Sequence, residues 1–198
     1  PWLLMRAFDI AFEECRLVLD SDGFRARIGE LSPSGKVPVL HHDERIVWDS
    51  LAICEYVDDT WLSGRGWPSD PALRALARSA ACEMHSGFTA LRGQLPMNCA
   101  RRPDGRRWDA AAEADIERVR AIWTDLLRRS GGPWLCGEFG IVDAMFAPVV
   151  IRFRGYGVEL SGAADDYARH MLAMPEMREW IAAGVAEPER LEKYETQA

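Results

Sequence analysis

The sequence predicts an α/β unit followed by an all-α unit. Three observations carry this. Residues 37–40 and 46–48 are short apolar runs on either side of a polar turn, His42-Asp43-Glu44-Arg45, which reads as a β-hairpin. Residues 62–71 are rich in Gly, Ser and Pro and break the pattern. Beyond them, apolar residues recur at helical spacing. The expected domains are residues 1–62 and 72–198, with a linker between.

The elements follow in order. Residues 1–7 read as helix, with Pro1 suited to a first turn where its missing N–H is not needed. Residues 12–19 alternate well enough for a strand, and residues 24–31 for a short helix. A Ser-Pro-Ser-Gly loop leads into the hairpin, and a helix starts at Asp49 or Ser50 with Ile53, Tyr56, Val57 and Trp61 on one face. In the second half, Leu73, Leu76, Ala77, Ala80, Ala81, Met84, Phe88 and Leu91 predict one long helix. An Arg-rich loop spans residues 97–107, with Arg101, Arg102, Arg106 and Arg107 expected on a solvated surface. Ile116, Val119, Ile122, Trp123, Leu126 and Leu127 mark a second long helix, stopped by Gly131-Gly132-Pro133. Residues 141–153 are strongly apolar, as in a helix buried on most sides. Two short helices, near residues 167–172 and 176–186, close the pattern.

Composition narrows the function. The net charge of −7 argues against a nucleic-acid partner, which needs a basic face to neutralise phosphates. No apolar run reaches the roughly 18 residues that span a bilayer, so no membrane partner is expected. The five cysteines are widely spaced, with no zinc-like cluster, and no metal site is expected. They suit a reducing cytoplasm, where most act as small buried hydrophobes, Cys15 among them. His41 and His42 are adjacent, so a strand would point them to opposite faces.

One stretch suggests a ligand. Lys36 is one of only two lysines and stands directly before Val37-Pro38. A cis bond there would turn the Val37 backbone groups outward, where an extended peptide could pair with them as an added strand. Lys36 would offer a cation to a carboxylate. The Ser50 hydroxyl and the helix N-terminus would suit a second carboxylate, and the Asp49 carboxylate an ammonium. The expected ligand is a short peptide with two carboxylates and a free amine.

Gly35-Lys36-Val37-Pro38-Val39-Leu40 and Asp49-Ser50-Leu51-Ala52-Ile53 resemble the soluble glutathione S-transferases. The resemblance covers nearly the whole chain. It implies a thioredoxin-like N-terminal domain with a four-stranded sheet, an all-α C-terminal domain, glutathione as co-substrate and a homodimer. Many members have Glu where this chain has Asp49. In the second half, Phe139-Gly140-Ile141-Val142-Asp143-Ala144 resembles the family's capping box, with Gly140 in place of the hydroxyl cap. Asp143 is expected to be structural.

The resemblance implies a catalytic Tyr, Ser or Cys just after the family's first strand, at the start of the first helix. That position is expected to precede Pro1, so no catalytic residue is named. The implied reaction is addition of the glutathione thiolate to a small, possibly anionic electrophile. Leu95-Pro96-Met97-Asn98 and Arg152-Phe153 resemble the zeta class, which implies the alternative of a cis-trans isomerase of the maleylacetoacetate type. A non-catalytic glutathione-binding or regulatory protein and a thiol-disulfide or dehalogenating enzyme stay open. His85, Phe88 and Arg152 are the candidates for the electrophile pocket. Arg152 would hold either a substrate carboxylate, helped by Arg101 and Arg102, or an internal one.

Overall fold

The computed structural model describes residues 1–189 and 191; Lys193 lies outside them. The chain divides into two compact units, Pro1–Gly66 and Trp67–Ala198.

The first unit begins with helix α1 (Trp2–Ala7). Residues 12–18 then have no regular structure and are mostly exposed, so the expected strand over 12–19 does not form. A strand needs a hydrogen-bonded neighbour, and among the described residues none pairs with this stretch: the sheet has two strands rather than four. Cys15, in this stretch, is exposed rather than buried. Helix α2 (Asp22–Leu31) starts at Ser21, whose hydroxyl accepts from the Phe24 N–H at 3.0 Å.

The strands β1 (Val39–His42) and β2 (Arg45–Trp48) form an antiparallel hairpin with Val39 opposite Trp48 and His42 opposite Arg45. The tight turn uses Asp43 at φ 52°, a left-handed conformation that Asp tolerates. Helix α3 (Ser50–Val57) follows at once and runs into a π-helical turn over Asp58–Leu62. Buried Asp58 accepts from the Gly66 N–H at 2.7 Å and ties that turn to the end of the unit. The core gathers Leu3, Leu4, Met5, Ile28, Ile53, Val57 and Leu62. At the hairpin, His42 Nδ1 lies 2.7 Å from the Tyr56 hydroxyl, and His41 Nε2 lies 2.7 Å from the Leu31 carbonyl oxygen.

The second unit is helical. Helix α4 (Pro71–Ser86) has Pro71 in its first turn and Asp70 as N-cap, accepting from the Leu73 N–H at 2.6 Å. The single long helix expected through Leu91 is broken. Gly87 leaves helical geometry, Phe88 sits at φ 56°, and a separate helix α5 (Thr89–Gln94) begins. Apolar spacing continues across the break because Met84, Phe88 and Leu91 are all buried in one core. Gly87 permits the bend: a Cβ there would lie 2.7 Å from the Glu83 carbonyl oxygen.

Helix α6 (Ala110–Ser130) is capped by Asp109, which accepts from Ala111 and Ala112 N–H groups at 3.0 Å, and ends at Gly131 with φ 82°. Helix α7 (Ile141–Tyr156) is buried on most sides, as expected. Helices α8 (Gly162–Ala173) and α9 (Pro175–Ala186) follow. α4 packs on α6 and α7, and α8 on α6, α7 and α9. No helix among the described residues is long and apolar enough to cross a membrane.

Candidate functional site

The hairpin register builds the first site. Val39, next after Pro38, pairs with Trp48, next before Asp49, so Val37-Pro38 and Asp49-Ser50 lead off the same end of the hairpin. The Val37-Pro38 bond is cis. Val37 is 45% exposed, and among the described residues nothing pairs with its backbone groups. Lys36, just before it, is exposed and follows Gly35, whose φ of 64° turns the loop.

Asp49 is the N-cap of α3. Its Oδ1 accepts from the Leu51 N–H at 3.0 Å and the Ala52 N–H at 3.3 Å. Its backbone, at φ 74° and ψ 132°, is rare for a residue with a side chain and is held between the end of β2 and the start of α3. The sequence reading gave this carboxylate to a ligand ammonium; the fold gives one of its oxygens to the helix as well. Ser50 is the first residue of α3, half-buried, at the positive end of the helix dipole. The arrangement offers a cation, an open backbone edge, a hydroxyl at a helix N-terminus and a carboxylate. Those are complementary to a short peptide with two carboxylates and an amine.

The pocket candidates fall in the second unit. His85 is in the last turn of α4 and half-buried. Phe88 is at the α4–α5 break and only 6% exposed. Arg152, on α7, donates from Nη1 to the Leu95 carbonyl at 2.5 Å and to the Arg92 carbonyl at 3.4 Å. These are carbonyls at the C-terminal end of α5, which lack intrahelical donors and carry the negative end of the dipole. The sequence alone leaves two acceptors open for this guanidinium, a substrate carboxylate and an internal one. A helix C-terminus is a third acceptor, and spacing alone does not reveal it.

The Arg-rich loop also departs from expectation. Arg102 and Arg107 are exposed, but Arg101 and Arg106 are half-buried against Tyr156. Gly155 and Gly157, on either side of that tyrosine, are the signal that could have revealed the close approach.

Asp143 has the structural role expected. Its Oδ1 accepts from the Leu135 N–H and its Oδ2 from the Gly140 N–H, both at 3.0 Å. Burial pushes its carboxyl up to about 7, opposed by those two N–H groups and by Tyr167.

A family model for the glutathione S-transferase N-terminal domain matches residues 1–60, and one for the glutathione S-transferase C-terminal domain matches residues 106–183. The chain belongs to the soluble glutathione S-transferase family. Among the curated relatives of this transferase-family chain, a probable maleylacetoacetate isomerase of Caenorhabditis elegans is 25% identical over 154 residues, 77% of this chain and 72% of the relative. Glutathione S-transferase GstB of Escherichia coli K12 is 29% identical over 132 residues, 65% of this chain and 64% of that protein. The maleylacetoacetate isomerase of Rattus norvegicus is 27% identical over 161 residues, 80% and 73%.

A glutathione transferase homologue from Burkholderia, solved with bound glutathione, has a TM-score of 0.69 at 22% identity and covers 92% of this chain and 88% of its own. The tau class enzyme from mango has a TM-score of 0.67 at 21% identity, covering 98% and 89%. Both likenesses establish the transferase fold: a thioredoxin-like N-terminal unit and a helical C-terminal unit.

Proposed function

We propose that this chain is a glutathione transferase that binds glutathione at Lys36, Val37, Pro38, Asp49 and Ser50 and adds its thiolate to a small electrophile. The observation that supports the reading is the hairpin register, whose end pair Val39–Trp48 leads directly into Pro38 on one strand and Asp49 on the other. The cysteinyl backbone of glutathione pairs with the Val37 N–H and C=O as an added strand. The glycyl carboxylate meets Lys36. The γ-glutamyl carboxylate takes the Ser50 hydroxyl and the α3 N-terminus, and its ammonium takes Asp49. The thiolate, not the thiol, attacks the electrophile, forming a carbon–sulfur bond as a carbon–carbon π bond opens and the adjacent carbon is then protonated, or, with an aryl halide, as the carbon–halogen bond breaks and halide leaves. No residue of this chain is assigned to stabilise that thiolate.

Calorimetric titration with glutathione tests the site. Ser50→Ala removes a half-buried hydroxyl at a charged partner and weakens binding by about 1–3 kcal/mol, roughly 5- to 150-fold. Lys36→Met removes an exposed cation and weakens it by only about 0.2–1 kcal/mol. Unchanged affinity in Ser50→Ala would remove the site from this position.

A second reading, glutathione-dependent cis-trans isomerisation of an anionic substrate, draws support from the isomerases among the relatives. In it, His85, Phe88 and Arg152 form the electrophile pocket. Arg152→Met separates two roles. If the guanidinium also reaches substrate, turnover of a dicarboxylate falls far more than turnover of a neutral aryl halide. If it serves only the end of α5, both fall equally per folded molecule, and stability drops by about 1–3 kcal/mol as the carbonyls lose their donor.

The protein acts in the cytoplasm as a homodimer in this proposal. The family resemblance, which implies a homodimer, supports this reading. A monomer by sedimentation at micromolar concentration would contradict it.

A further inference from the structure

The chain is acidic overall, yet residues 98–108 hold four arginines and one acid, Asp104. This loop lies on the C-terminal end of α7. A Cβ on Gly155 would sit 3.4 Å from the Arg101 Cβ, and one on Gly157 would sit 3.1 Å from the Pro103 Cβ. Tyr156, buried between those glycines, donates its hydroxyl to the Pro96 carbonyl at 3.2 Å. Its ring carries two cations. The guanidinium carbon of Arg101 is 4.1 Å from the ring centre and that of Arg106 is 5.9 Å from it.

The acid in this loop does not neutralise both. Arg101 Nη2 donates to Asp104 Oδ2 at 2.7 Å, while Asp104 Oδ1 accepts from the Arg106 backbone N–H at 3.1 Å. The Arg101 side chain is only 10% exposed. Its buried Nε and the buried Nη1 of Arg106 have no hydrogen-bond acceptor among the described residues. A ring face attracts a guanidinium but does not replace an in-plane acceptor for its N–H groups. Two guanidinium groups, one paired with Asp104 and each with an unaccepted donor, therefore border one buried tyrosine.

We propose that Arg101 and Arg106, stacked over Tyr156, bind the oxyanion of a small molecule, a carboxylate or a phosphate. One oxyanion accepts from both guanidinium groups and relieves their repulsion, and the planar forks suit its geometry. Exposed Arg102 and Arg107 raise the local potential for an anion approaching an otherwise acidic protein. The inference does not rest on the transferase reading, since none of the residues assigned to glutathione takes part.

The test is calorimetric titration of the full chain, at fixed ionic strength and low halide, with inorganic phosphate and separately with succinate. One-site saturable binding of at least one anion is expected. Arg106→Met weakens it at least tenfold, while Arg128→Met, an exposed arginine paired with Asp125, leaves it unchanged. Phosphate alone binding identifies a phosphorylated ligand, and succinate alone a carboxylate. Saturation by neither anion overturns the proposal, as does equal weakening in Arg128→Met, which would indicate bulk charge. Should Arg106→Met not fold, Arg106→Lys keeps the charge but not the fork. It must then weaken binding at least threefold, and unchanged affinity overturns the proposal. Glutathione titrated in parallel stays within twofold of wild type in every variant. Absence of glutathione binding in the wild type would count against the transferase reading alone.

Discussion

Replacing Asp143 with alanine lowers stability by about 2–4 kcal/mol near neutral pH, and by more at pH 5 than at pH 8. The carboxylate accepts from two buried N–H groups, those of Leu135 and Gly140. Removing it strands both donors, at about 1–3 kcal/mol each, partly offset because a buried acid no longer has to be desolvated. The pH dependence follows from burial, which raises the folded carboxyl from 3.8 to about 7. Between those values the folded state holds a proton that the unfolded chain has released. Wild-type stability from this group is therefore full below about pH 4, falls as pH rises towards 7, and is flat above it. The alanine variant lacks that slope, so its deficit is larger at pH 5 than at pH 8 by about 2–3 kcal/mol. Urea denaturation of both proteins at pH 5, 6, 7 and 8 measures it. A deficit that does not change with pH would mean that the acid is ionised throughout.

Trp123→Ala is expected to cost about 3–5 kcal/mol, and Trp123→Phe only about 0–2 kcal/mol. Trp123 on α6 is fully buried and touches three aromatic rings, with centroids 5.9 Å from Phe146, 5.5 Å from Phe153 and 5.0 Å from Tyr167. Alanine leaves a cavity where α6, α7 and α8 meet. Phenylalanine keeps most ring contacts and also removes the indole N–H, which has no acceptor among the described residues. Loss of the ring volume is thus offset by loss of an unsatisfied donor. Thermal and urea unfolding of both variants test this, and equal losses in the two would sink the argument.

Much of the fold was legible because it depends on local chemistry. The helix start at Asp49 or Ser50 and the stop at Gly131 are signals that act within one turn. The hairpin was legible from two apolar runs about a polar turn. The strand expected over residues 12–19 was not, because alternation describes a strand's faces and not whether a neighbour is there to bond it. The helix break at Gly87 was hidden for a related reason. Burial sets the apolar spacing, and both sides of the break face the same core.

The candidate glutathione site divides in the same way. The sequence by itself supplied its candidates: Lys36, Val37, Pro38, Asp49 and Ser50 bear the chemistry of a cation, an open edge, an acid and a hydroxyl. Only the tertiary structure decided how those residues are employed. The register pairs Val39 with Trp48, so Pro38 and Asp49 leave the same end of the hairpin, and the turn into α3 commits Asp49 Oδ1 to two backbone N–H groups. Arg152 and Arg101 were likewise visible as arginines. What they bond was decided by whichever acceptor the packed chain brought within about 3 Å of a guanidinium that must be paired when buried. A sequence specifies residue chemistry and short-range geometry directly. Partners distant along the chain are chosen by the packing of whole elements.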